Sequence, residues 1–354
     1  MPEEKIMSVK MKAAVLEEFH KSLVITEKEI PEPGPGEVRV KVMASGLCVS
    51  DIHIQDGIIN TVHLPYTPGH EMAGIIDKTG EGVTTVKPGD HITAAIDIIC
   101  GNCKYCRTGR TNLCEKLVRI GFERDGSHEE YCIIPEENAF KVADWIPFEQ
   151  VTGFPDAVGC MYNAIKNVAK VKPGERVLIL GVGGLGMNAI QLARIFGAEV
   201  FATSRRTEKL EIAKQMGADH VINTKTENLA ERIKEITGGE MLDVVIDNIG
   251  IRDSINDSLK LVSAGGRVIV TGYYDPQFVT DYQDIMKFEK QILGMRGMTR
   301  QDLAEVIRLV ENHRMTPYVY KTMPFEKINE ALQEMRDGKA LGRIVLLMDH
   351  KEGE

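Results

Sequence analysis

Four of the chain's seven cysteines crowd into Cys100–Cys114, spaced C-x2-C-x2-C-x7-C through Cys100, Cys103, Cys106 and Cys114. Four thiolates on one short lobe, about residues 97–115, suit a closed tetrahedral structural Zn²⁺. Free buried thiols, two disulfides and an iron–sulfur cluster are the competing readings. Disulfides are disfavoured in a reducing compartment. No electron-transfer partner motif accompanies a cluster.

A second set of ligand-type residues is dispersed. Cys48 stands in Gly46-Leu47-Cys48-Val49-Ser50-Asp51-Ile52-His53, and His70 in Gly69-His70-Glu71. Taken singly, each is more often a buried cysteine or a satisfied core histidine. Beside a nucleotide-binding domain they read as part of a catalytic zinc site with an open position.

Gly181-Val182-Gly183-Gly184-Leu185-Gly186 fits G-x-G-x-x-G. It follows the apolar run Arg176–Leu180 and opens a helix, the context that makes the motif informative. Its glycines allow a tight turn, and the helix start offers free N–H groups to a pyrophosphate. A tight strand-to-helix turn that binds nothing is the bland alternative. At the end of the next strand, where an NAD site carries an acid for the ribose hydroxyls, stand Ser204-Arg205-Arg206. Two guanidiniums suit a 2′-phosphate, so NADP is the expected cofactor. The competing reading makes both arginines a solvated helix start.

The elements that must position these residues fall into two patterns. Up to about residue 145 the segments are short and punctuated by Gly, Pro and Asp, and Val38-Arg39-Val40-Lys41-Val42 alternates strictly. That describes an irregular, mainly β domain, expected over 1–156. After Lys172-Pro173-Gly174-Glu175, strands and helices alternate, as in a doubly wound α/β domain expected over 157–297. A C-terminal segment, 298–354, either covers that sheet or returns to the first domain.

Composition narrows the partners. With 43 Lys plus Arg against 52 Asp plus Glu, the net charge of −9 disfavours a nucleic-acid backbone. The locally basic Lys104, Arg107, Arg110, Lys116 and Arg119 lack the interleaved aromatics that base stacking uses. No apolar stretch approaches the ~20 residues of a membrane helix. The acidic N-terminus lacks a leader's basic region, so a cytoplasmic location is expected.

From Met11 to Met348 the chain resembles the zinc-dependent medium-chain dehydrogenase/reductase family, the alcohol dehydrogenases. The Cys48 segment, Gly69-His70-Glu71, the four-cysteine lobe, the glycine turn and Leu341-Gly342-Arg343-Ile344-Val345 carry the resemblance. It implies a GroES-like catalytic domain joined to a Rossmann domain, with the C-terminal segment returning to the former. It implies two Zn²⁺ per chain, the lobe cysteines holding the structural one. It makes Cys48 and His70 ligands of the catalytic zinc, Glu71 an acid that can enter the metal's shell, and Asp51 an acid behind it. Ser50 matches the hydroxyl that bonds the substrate oxygen, and His53 the residue that passes the proton on. The family segment around Tyr162-Asn163-Ala164-Ile165 puts Asp156 at the third ligand position, where many members have cysteine. Cys160, four residues on, is the competitor on the same helix face, and Asp156 is favoured. Gly181, Gly183, Gly184, Leu185, Gly186, Ser204, Arg205 and Arg206 match the cofactor site.

The implied activity is reversible hydride transfer between NADP(H) and an alcohol/carbonyl pair, of the secondary alcohol and ketone type. A polyol dehydrogenase and a zinc-stabilised NADP-dependent enone or quinone reductase are the alternatives. The partner is a small molecule, met by a homodimer or homotetramer. Ile54, Ile58, Ile59, Asp97, Ile98 and Trp145 are candidates for a largely apolar substrate pocket.

Overall fold

Val38, Val40 and Val42 are fully buried and alternate with part-exposed Arg39 and Lys41, as the period-two pattern requires of strand Glu37–Leu47. The computed structural model describes residues 10–273 and 277–350; the expected N-terminal tail lies, through residue 9, outside it. Two compact units form, one of Met1–Pro155 with Val319–Glu354, the other of Asp156–Tyr318.

In the first unit, strand Glu37–Leu47 pairs antiparallel with Glu71–Thr79, Tyr131–Pro135 and Arg343–Leu347 inside a seven-stranded sheet. The register sets Gly46 opposite Glu71 and Leu47 opposite Ile344. Two consequences follow. Cys48, one residue past one strand, comes near His70, one residue before its antiparallel neighbour. Arg343, at the start of the C-terminal strand, arrives at the same edge. The core beneath is built from Val40, Val42, Met72, Ile76, Ile92, Ile134, Ile344 and Leu346.

The second unit carries a six-stranded sheet, parallel throughout. Its order is His220–Asn223, Glu199–Ser204, Arg176–Leu180, Leu242–Asp247, Val262–Val270, Gln291–Gly294. In chain order that is 3-2-1-4-5-6, the doubly wound arrangement of dinucleotide-binding domains. Val177, Leu178 and Ile179 are completely buried, as a strand covered on both faces must be. Helix Arg300–Glu311 also belongs to this unit, burying Leu303, Val306, Ile307 and Val310. The chain therefore re-enters the first unit at Val319, one helix later than the residue-298 boundary expected from the sequence.

Candidate metal centres and nucleotide turn

The four lobe cysteines converge, their sulfurs all within 4.8 Å of one another. A tetrahedral zinc with ~2.3 Å bonds needs S···S separations of about 3.8 Å, so the cage fits that ion. No disulfide joins any of the seven cysteines. Strands Asp97–Ile98 and Val118–Arg119 pair at the base of the lobe and close it. Backbone N–H groups from Cys100 and Lys116 reach the Cys114 sulfur at 3.3 and 3.4 Å. The N–H groups of Cys106 and Glu115 hold the Cys103 thiol down at about 6. Burial and its sulfur neighbours push Cys106 up to about 12. Four crowded sulfurs resist becoming four thiolates together, and a divalent cation is what lets them.

The dispersed ligands converge as well. One ligand atom each from Cys48, His70 and Asp156 lies within 4.8 Å of the others. A thiolate, an imidazole and a carboxylate, with room for a fourth donor, match the donor set of a catalytic zinc. Cys48 caps helix Val49–Gln55, and its N–H donates to Asp51 Oδ2 at 2.8 Å. The His70 ring packs on Phe122 with centroids 4.9 Å apart, and its Nδ1 stands 3.8 Å from Asp51 Oδ1. Burial alone raises the Asp51 carboxyl; the facing His128 and His70 rings and the Cys48 N–H outweigh it and hold it below its ordinary value.

Asp156 sits in the π-helical turn Phe154–Val158, an irregularity frequent at functional sites. Cys160 donates its S–H to Asp156 Oδ1 at 3.1 Å, so the two do share a face, and the converging set takes Asp156 and not Cys160. Glu71 stands outside the converging set. Its Oε1 pairs at 2.8 Å with Arg343 Nη2, and Arg343 Nη1 donates to the Leu47 carbonyl at 3.0 Å. Arg343 was missed as a site residue. It lies nearly three hundred positions from Leu47 in sequence, and only the sheet register brings it there.

Ser50 and His53 lie one turn apart on helix Val49–Gln55. The Cys48 thiol donates to Ser50 Oγ at 3.6 Å. His53 is buried, and burial carries its pKa below the ordinary 6.5. The six pocket candidates differ in burial. Ile54 is completely buried in the core, and Ile59 and Ile98 pack against that same core. Ile58 and Trp145 are 54% and 50% exposed. Asp97 offers its carbonyl to Asn138 Nδ2 at 3.1 Å.

In the second unit, Gly183 caps helix Gly184–Ile195, directly after strand Arg176–Leu180. A Cβ on Gly186 stands 2.4 Å from the Gly181 carbonyl oxygen, so the turn closes only without one. Asp247, buried at the end of the neighbouring strand, accepts N–H groups from Ile249 and Gly250 at 2.8 and 3.0 Å. It braces the facing loop, and Asn248 Nδ2 reaches the Gly181 carbonyl at 3.3 Å. Ser204 Oγ accepts the Arg206 N–H at 3.1 Å, a local turn at the strand end. Arg205 is exposed. Arg206 Nε lies 3.8 Å from Glu208, so the helix-start reading has a contact of its own. Lys209, half-buried beside Arg206, has its pKa lowered by burial first and by that neighbour second.

The model of the alcohol dehydrogenase GroES-like domain matches residues 34–144, and that of the zinc-binding dehydrogenase matches residues 184–312. An alcohol dehydrogenase of Geobacillus stearothermophilus is 36% identical over 96% of this chain and 100% of its own length. The chain belongs to the zinc-containing medium-chain dehydrogenase/reductase family. An L-threonine 3-dehydrogenase of Pyrococcus horikoshii, 32% identical, is covered completely by 97% of this chain. The acetophenone reductase of Geotrichum candidum, solved with NAD, superimposes with a TM-score of 0.88 at 32% identity, over 99% of this chain and 100% of that one. Membership makes the protein an oxidoreductase acting on alcohols, with zinc and a nicotinamide cofactor. Among the described residues, no helix is long and apolar enough to cross a membrane.

Proposed function

We propose that the chain interconverts secondary alcohols and ketones with NADP(H), using one zinc held by Cys48, His70 and Asp156 and a second held by the lobe cysteines. The observation that carries this reading is the convergence of the first three ligand atoms beside a helix that also presents Ser50 and His53. Bound together, zinc would lower the pKa of the alcohol hydroxyl and NADP⁺ would accept the hydride. The chain's own residues do the rest. Ser50 Oγ accepts the hydroxyl proton as it releases its own along the relay. His53, kept neutral near pH 7 by its burial, takes up the released proton and passes it outward. The Asp156 carboxylate donates less electron density to the ion than a second thiolate of the same charge would, which sharpens its Lewis acidity. Arg205 and Arg206 are the partners for a 2′-phosphate, with half-buried Lys209 as a third cation nearby. The ketone reductase among the structural relatives supports a secondary alcohol over a primary one. A cytoplasmic site of action agrees with seven cysteines of which none is in a disulfide.

The test is initial-rate kinetics with a series of secondary, primary and polyhydroxy alcohols against NADP⁺ and NAD⁺. Secondary alcohols with NADP⁺ are expected to give the highest kcat/KM; a preference for polyols, or for NAD⁺, overturns the finer reading. His53 gives the pH dependence. Its folded pKa lies below 6.5, so it accepts a proton above that value and loses the capacity as pH falls through it. Alcohol oxidation should decline on the acid side below pH 6.5. In His53→Gln, kcat should fall about 10²-fold and that acid limb should vanish. An unaltered pH profile in the variant removes His53 from the proton path.

A further inference from the structure

His128 belongs to no motif in the sequence, yet it is completely buried behind the Cys48–His70 pair. Its Nε2 stands 3.6 Å from Asp51 Oδ1, the oxygen that also faces His70 Nδ1 at 3.8 Å. The loop that carries it is laced to the loop that carries His70. The N–H groups of Gly126, Ser127 and His128 donate to the carbonyls of Thr67, Gly69 and Pro68 at 2.8, 2.8 and 3.0 Å. Contact is close enough that a Cβ on Gly69 falls 2.7 Å from the His128 ring nitrogen.

The tautomer of His128 follows from its other side. Ser45 Oγ lies 2.8 Å from His128 Nδ1 and 2.6 Å from Ser127 Oγ, all three residues completely buried. Two hydroxyl directions are available. If Ser127 donates to Ser45 and Ser45 donates to Nδ1, the ring proton sits on Nε2 and points at the Asp51 carboxylate. If the chain runs the other way, the Nε2 lone pair faces that carboxylate in a dry interior, where an unsatisfied carboxylate oxygen is costly. The first direction wins.

We propose that His128 is a positioning residue for the catalytic metal. With Ser127 and Ser45 setting its proton on Nε2, it orients the Asp51 carboxylate toward His70 Nδ1–H, which leaves His70 Nε2 for the ion. This inference rests on reading Cys48, His70 and Asp156 as the metal centre. Ligating histidines whose outer partners are removed lose 10–100-fold in metal affinity.

The experiment is chelator competition on the full chain, following the release of zinc from wild type, His128→Phe, His128→Gln and Ser127→Ala. The lobe zinc serves as internal control, and thermal unfolding with excess Zn²⁺ reports folding. His128→Phe keeps a ring and loses the donor. It should release the more labile ion with an affinity lowered about 10–100-fold, with the lobe zinc retained. Glutamine places an amide N–H near the position of Nε2, so His128→Gln should recover most of that affinity. Ser127→Ala should fall between the two. Wild-type affinity in His128→Phe and Ser127→Ala overturns the inference. So does an equal loss in the Phe and Gln variants, which marks a packing role alone. A wild type holding a single zinc instead sinks the metal-centre reading itself.

Discussion

Asp156→Ala is expected to hold one zinc where the wild type holds two, and to lose alcohol-linked reduction of NADP⁺. The lost interaction is a direct metal bond. A metal acting as Lewis acid contributes several kcal/mol to the barrier, so turnover should drop about 10³-fold or more. Asp156→Cys restores a ligand that zinc accepts and should regain the second ion. Its turnover should stay below wild type, because a second thiolate donates more electron density to the ion. Cys160→Ala separates the rival. The Cys160 sulfur donates to Asp156 Oδ1 at 3.1 Å and stands outside the converging set, so this variant should keep both ions. Elemental analysis of the three proteins beside an activity assay decides it. Two zinc in Asp156→Ala with one in Cys160→Ala transfers the ligand role to the cysteine.

The second large effect concerns the cofactor. Arg205 and Arg206 follow a strand end at which Ser204 stands where an acid would grip ribose hydroxyls. Charged hydrogen bonds contribute about 1.5–3 kcal/mol each. Each Arg→Ala should therefore raise KM for NADP⁺ by roughly 10–100-fold and leave kcat nearly unchanged, since the 2′-phosphate is remote from the reacting carbon. KM for NAD⁺ should move little. Ser204→Asp with Arg205→Ala should reverse the preference, because the new carboxylate repels the phosphate and accepts from the ribose. If the NADP⁺/NAD⁺ ratio of kcat/KM survives both arginine truncations, the pair is a helix start and nothing more. The Arg206–Glu208 contact at 3.8 Å is the observation that such a result would promote.

Much of this was legible because the signals are local. A buried apolar run, four glycines and a helix start occupy one continuous stretch, and the structure sets Arg176–Leu180 and Gly184–Ile195 on either side of that turn. The lobe cysteines announce themselves through spacing alone. What escaped is carried by register and by polar helices. Arg343 meets Glu71 only because two distant strands flank Glu37–Leu47. Helix Arg252–Leu261 reads RDSINDSLKL, too polar to suggest burial, yet it tucks Ile255, Leu259 and Leu261 inward. Ile54 departs from the pocket expectation on direction: it shares a helix with Ser50 and still packs into the core. His128 escaped because a lone histidine in a loop carries no pattern. Its meaning comes from what lies within 4 Å of it.

The most direct test follows zinc content and turnover together in the wild-type chain. Graded treatment with a chelator should remove one of two ions first, with NADP⁺-linked oxidation of a secondary alcohol falling in proportion and returning when one equivalent of Zn²⁺ is added. Secondary structure should persist throughout, because the retained ion sits in the four-cysteine lobe. Full turnover in a chain that holds one zinc would contradict a catalytic metal at Cys48, His70 and Asp156, and would leave a nicotinamide-dependent reductase with a structural ion.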